Sequence, residues 1–171
     1  MATKQNAQQN AQQNESPVNL FEQLIQLRDS YREKFQGCPV VIKGKDLKTE
    51  KNRLGHIRWY LHPSLPKQAI RTLMTYVQEI PPGSRTGRWH FQGGQVIYVW
   101  EGKGHTMMNG VRYDWKKEDA LNIPMPRDGV TIQHFNDDPN QRVRLVCCEV
   151  NLVDMFGVDR GTRFEVLEEA P

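Results

Sequence analysis

Between Pro81 and Gly102 the chain reads PPGSRTGRWHFQGGQVIYVWEG. A Pro-Pro-Gly turn opens the stretch and Glu101-Gly102 closes it. Within it, Gln95-Val96-Ile97-Tyr98-Val99-Trp100 alternates in the period-two manner of a strand with one buried face.

The rest of the chain repeats the pattern. Ile57–Leu61 and residues 72–80 read as strands, with the turn-rich HPSLP between them. Lys103–Met108 runs into the Asn109-Gly110 hairpin turn and Val111–Trp115 returns from it. Ala120–Ile123 is a short strand, Pro124–Gly129 an irregular loop, Val130–Phe135 a strand, and Asn136–Asn140 a strong turn. Val143–Val153 is the most apolar run and is expected at the centre of a sheet. Pro39–Lys43 is expected as a short strand, residues 44–53 as a charged, solvated loop, and residues 154–171 as a polar tail around Phe156, Phe164, Val166 and Leu167. Many short strands at regular spacing predict an all-β barrel or jelly roll over residues 38–171, with a C-terminal extension.

Ahead of it, residues 1–15 are a Gln/Asn-rich segment expected to be disordered. Residues 16–37 are expected to hold a helix: Ser16 is the candidate N-cap, Pro17 suits the first turn and Gly37 the terminus. Leu20, Leu24, Leu27, Tyr31 and Phe35 recur at steps of three and four and form one apolar stripe, suited to cover an edge of the same barrel or to dock on a neighbouring chain.

A chain of 171 residues has room for one domain with a real core. The net charge of +3 is spread along the sequence and gives weak support for nucleic-acid binding. No apolar run approaches the roughly 20 residues of a membrane span. The N-terminus lacks the apolar core of a secretory signal, and three cysteines make no disulfide framework. A reduced, cytoplasmic protein is expected.

The glycine spacing resembles that of the cupins, small β-barrels with the signature G-x5-H-x-H-x3-E-x6-G. Gly83 and Gly102 stand where its glycines belong, but Trp89, Phe91 and Gln95 occupy the His, His and Glu positions. In the second signature, G-x5-P-x-G-x2-H-x3-N, Gly129 and Asn136 are in place, Ile132 replaces the histidine, and the proline is displaced to Pro126. Indole, phenyl and sec-butyl groups cannot ligate a first-row metal, and Gln95 offers at most a weak neutral oxygen. The resemblance therefore implies a cupin barrel without metal at the usual site.

The five histidines are His56, His62, His90, His105 and His134. Alternation turns His90 away from the interior and puts His134 on the face of Ile132. A displaced metal site built from His90, His105 and His134 would need a one-residue register slip. Trp89 and Phe91 either fill a barrel that has lost its metal, or Trp89, with Arg88, Gln95 and His134, lines a pocket for a flat aromatic molecule. Trp89, Phe91, Gln95 and His134 are thus the candidate substrate-binding residues. No catalytic residue is assigned. Of Cys147 and Cys148, one should point inward as a small core residue.

Over the whole chain, the helix LFEQLIQLRDSYREKF, the RWHFQGGQ and HFNDDP segments and the FGVDRGTRFEVLEE tail resemble the small subunit of two-component hydroquinone 1,2-dioxygenases. That resemblance implies a larger cupin partner carrying Fe(II), a heterotetramer with two copies of each subunit, and opening of hydroquinone by O2 to 4-hydroxymuconic semialdehyde. Two other classes remain: a free-standing, metal-free cupin that binds or isomerises a small molecule, and a metal oxygenase with unusual ligands.

Overall fold

The computed structural model describes residues 19–152 and 164–171. The chain divides into two compact units, residues 1–37 and 38–171. In the first, helix α1 spans Leu20–Phe35. Ser16 and Pro17 lie outside the described residues; the cap is Asn19, whose side chain accepts the Glu22 N–H at 3.1 Å. Gly37, in the left-handed region at φ +70°, follows the helix end, as its position in the sequence predicts.

The described residues of the second unit hold eleven strands: β1 (Glu50–Asn52), β2 (Gly55–Leu61), β3 (Leu73–Ile80), β4 (Arg88–Phe91), β5 (Gln95–Glu101), β6 (Lys103–Met108), β7 (Val111–Lys116), β8 (Ala120–Ile123), β9 (Val130–Asn136), β10 (Val143–Val150) and β11 (Phe164–Glu168). They form a six-stranded sheet in the order β1-β2-β3-β10-β5-β8 and a five-stranded sheet in the order β11-β4-β9-β6-β7. Every pairing is antiparallel. The inner faces share one core, with Ile57, Ile97, Val99 and Leu145 from the first sheet against Trp89, Val130 and Ile132 from the second. The fold is an all-β jelly roll.

Alternation sets this core. In β5, Gln95, Ile97 and Val99 are buried while Val96, Tyr98 and Trp100 face out. As expected, β10 is central: it pairs with β3 on one side and β5 on the other. The β6–β7 hairpin turns through Asn109 and Gly110, at φ +50° and +82°, the pair of positive values that a two-residue primed turn requires. Gly102 sits at φ +93°, and a Cβ there would come within 2.6 Å of Val143 Cγ2. Both the conformation and the close approach therefore call for glycine.

Asn136 locks the far end of β9. Its Nδ2 donates to the carbonyls of Ile80, Pro81 and Gln141 at 3.1, 3.0 and 2.8 Å, and its Oδ1 accepts the Asp138 N–H at 2.9 Å. One amide thus ties the ends of β3, β9 and the turn before β10.

Three local expectations are corrected. Pro39–Lys43 is not a strand: Val40 and Val41 are 99% and 72% exposed, and an apolar run with no ladder to join stays irregular. The charged segment 44–53 is not all loop, since it holds a single 3-10 turn at Gly44–Asp46 and then β1. The tail contributes β11, which pairs with β4 through Phe164↔Phe91, Glu165↔His90 and Val166↔Trp89; Phe156 lies outside the described residues. Among the described residues, no helix is long and apolar enough to cross a membrane.

Candidate functional site

The register between β4 and β9 brings Trp89 opposite Ile132, and that between β5 and β10 brings Gln95 opposite Glu149. These inward positions are where the signature would place metal ligands. Trp89 and Phe91 stack with ring centroids 4.1 Å apart and planes 2° from parallel, and Phe164 meets the indole edge-on at 5.0 Å. Trp89 is 4% exposed, Phe91 5% and Ile132 0%. Gln95 is also committed: its Nε2 donates to Tyr76 Oη and Glu149 Oε2, each at 2.9 Å. Iron does not fit this donor set, because three of the four side chains carry no ligand atom and the fourth, Gln95, offers a single neutral amide oxygen, its Oε1, which makes no hydrogen bond.

His134 is buried apart from that group. Its Nδ1 lies 2.7 Å from Thr106 Oγ1, which also accepts the Trp115 Nε1–H at 2.9 Å. Thr106 Oγ1 has one hydrogen and two lone pairs, so it can serve either tautomer of the His134 imidazole. Burial pushes its pKa down to about 4. His90 and His105 take the opposite face of the sheet. His90 Nδ1 is 3.0 Å from Thr131 Oγ1. His105 stacks on Phe135 and pairs with Asp137 at 2.9 Å. The three histidines therefore do not converge.

His105, Asp114 and Asp137 place one ligand atom each within 4.8 Å of one another. Arg112 bridges both carboxylates and His105 Nδ1 lies 2.9 Å from Asp137, so these side chains already serve one another.

A buried carboxyl group is the residue that strand patterning alone did not single out. Glu149, 5% exposed, follows Val143, Leu145 and Cys147 on the inner face of β10. Burial pushes its pKa up to about 8, with the Gln95 hydrogen bond opposing. Tyr76 and Cys147 beside it are also held protonated, mainly by burial and then by the Glu149 charge. The signal was available: if Cys147 points inward, so does Glu149 two residues on.

Glu149 lines a cavity of about 360 Å³ between β2, β3, β10 and β11. Trp59, Ile57, Met74 and Phe164 make its apolar walls, with Arg53 and His62 also lining it. None of Trp89, Phe91, Gln95 and His134 lines this cavity; all four are packed in the interior.

No family model matches the chain. Over 93 residues, 54% of this chain and 70% of the relative, it is 28% identical to an uncharacterized protein of Methanocaldococcus jannaschii. Among solved structures, salicylate 1,2-dioxygenase from Pseudoaminobacter salicylatoxidans in complex with gentisate superposes with a TM-score of 0.54 at 15% identity, over 86% of this chain and 36% of that one. The coconut allergen cocosin superposes with a TM-score of 0.54 at 16% identity, over 70% of this chain and 34% of that one. The fold is a cupin barrel. The chain spans about a third of the length of these two structures, and at such identities the likeness concerns the fold alone. Within the cupin barrel, the inward positions of β4, β5 and β9 hold the stacked Trp89 and Phe91, the tethered Gln95, and Ile132.

Proposed function

We propose that this chain is a metal-free cupin acting as the small subunit of an aromatic ring-cleaving dioxygenase of the hydroquinone 1,2-dioxygenase type. Its larger cupin partner carries Fe(II), with two copies of each subunit in the assembly. The observation that carries the reading is the Trp89–Phe91 stack, which occupies the interior where a cupin would coordinate metal. Ring opening of hydroquinone by O2 then belongs to the partner's iron, and this chain supports and helps to complete the substrate site.

The outer face of the six-stranded sheet supports a partner. Tyr98 and Trp100 project from β5 at 44% and 43% exposure and, with Val146, Leu61 and Ile70, line an apolar groove of about 750 Å³. An apolar surface of this kind is what an interface covers.

The test is co-purification from a native extract under anaerobic conditions. A larger iron-bearing chain in equal amount is the expected result, with hydroquinone cleavage in the complex and none in this chain alone. A solitary, monodisperse protein with no partner and with its own stoichiometric metal would overturn the reading.

A second reading, a free-standing metal-free cupin that binds or isomerises a small molecule, is favoured by the Glu149 cavity. There the acid–base group is Glu149 rather than His134, which is sealed against Thr106.

A further inference from the structure

We propose that the cavity over Glu149 is a binding site for a small, uncharged aromatic carbonyl compound, whose oxygen accepts a hydrogen bond from the Glu149 carboxylic acid. The inference does not rest on the subunit reading, because the residues that build the cavity belong to this chain whether or not a partner joins it.

Four observations lead to this ligand class. First, about 360 Å³ lies near the lower end of the ~300–1,000 Å³ typical of small-molecule sites and suits a single ring. Second, the walls are suited to a flat apolar body. Trp59 lines one side, its ring 4.8 Å from those of His62 and Tyr76, and Phe164 and Met74 also line the cavity. Third, Glu149 has two oxygens in different situations. Oε2 accepts from Gln95 Nε2 at 2.9 Å. Oε1 has no hydrogen-bond partner among the described residues, so the acid proton resides there and Glu149 presents a donor.

Fourth, two backbone acceptors along the wall, the carbonyls of Arg53 and Leu54, are already used. Leu54 O takes the Gln78 Nε2–H at 2.9 Å and the Gly87 N–H at 3.2 Å, and Arg53 O takes the Ala170 N–H at 2.8 Å. A ligand that brings an acceptor and no donor of its own, as an aromatic aldehyde, ketone or amide does at its carbonyl, leaves fewest polar groups unmatched.

Tyr76 on β3 and Cys147 on β10 stay protonated through the neutral range, pushed up by burial and by Glu149 itself. Arg53 after β1 and His62 after β2 line the cavity. Burial brings the ionisation of Glu149 itself to about pH 8. A carboxylate has no proton to give, so binding through its donor is lost there.

Acetophenone is the probe, and α-methylstyrene, with a methylene in place of the oxygen, is the control. Both are titrated into the purified full chain by calorimetry at about pH 6 and about pH 9.5. The wild type is expected to bind acetophenone saturably at the lower pH and about tenfold or more weakly at the higher. Glu149→Gln keeps an N–H donor that does not ionise, so at both pH values it should bind within about threefold of the wild-type affinity at about pH 6. Glu149→Leu should lose the preference for acetophenone over α-methylstyrene while still binding the hydrocarbon. No saturable binding, wild-type binding indifferent to pH, or an unchanged preference in Glu149→Leu would each overturn the proposal. Circular dichroism of each variant shows that the fold is intact.

Discussion

Replacing Glu149 with glutamine should stabilise the barrel above pH 8 by roughly 5 kcal/mol, the equivalent of holding a carboxyl at about 8 rather than 4.5. The sign follows from proton binding. With its folded value raised, Glu149 binds more protons in the native state than in the unfolded chain between pH 4.5 and 8. Native stability therefore falls across that window as the buried acid is forced to ionise. Glutamine cannot ionise and can still accept from Gln95 Nε2.

His134 acts in the other direction. Its folded value of about 4 lies below the unfolded 6.5, so its contribution is complete above pH 6.5 and is lost as pH falls toward 4, on the order of 3 kcal/mol in all. In the wild type the two slopes oppose each other between pH 4.5 and 6.5, giving a flat region. A loss of about 2 kcal/mol then follows between pH 6.5 and 8. In Glu149→Gln the alkaline decline should vanish and the acid one remain. Urea unfolding at a series of pH values reads this directly. Parallel wild-type and variant curves would mean that Glu149 is already ionised in the folded protein.

Trp89→Ala should cost about 3–5 kcal/mol, the range for removing a large aromatic from a close-packed core. The indole is 4% exposed, stacked on Phe91 and met edge-on by Phe164. Its loss leaves a void bounded by two rings. Trp89→Phe keeps a ring on Phe91 and should lose much less. Unfolding midpoints of the two variants decide between the two roles open to this residue. A loss under about 1 kcal/mol for Trp89→Ala would show that the indole lines accessible space instead of filling the core.

The parts of the fold written in local chemistry were legible in the sequence. Gly102 and Asn109-Gly110 announce turns because their backbone conformations admit few other residues. The inward set Trp89, Phe91, Gln95 and Ile132 follows from period-two alternation once the strands are placed. What was missed depends on distant pairing. β11 exists because Phe164–Glu168 finds the free edge of β4, more than seventy residues earlier, and its own sequence alternates poorly. Pro39–Lys43 has the composition of a strand and no partner edge, so it forms none.

The candidate site divides the same way. That Trp89, Phe91 and Ile132 bring no ligand atom was readable from residue types alone. The cavity over Glu149 was not, because its walls come from β2, β3, β10 and β11, elements that only the sheet order brings together. An acidic residue in an apolar strand reads as an interruption until its face is known. Once Cys147 is placed inside, Glu149 becomes a buried acid with a tether and a cavity.

The central claim is that this barrel carries no metal of its own. Anaerobic titration of the isolated chain with Fe(II), followed by desalting and elemental analysis, tests it most directly. The account predicts substoichiometric iron that does not fall further in Gln95→Ala, together with unchanged thermal stability on adding metal. One iron per chain, retained through desalting and lost when Gln95 or Glu149 is replaced, would contradict it.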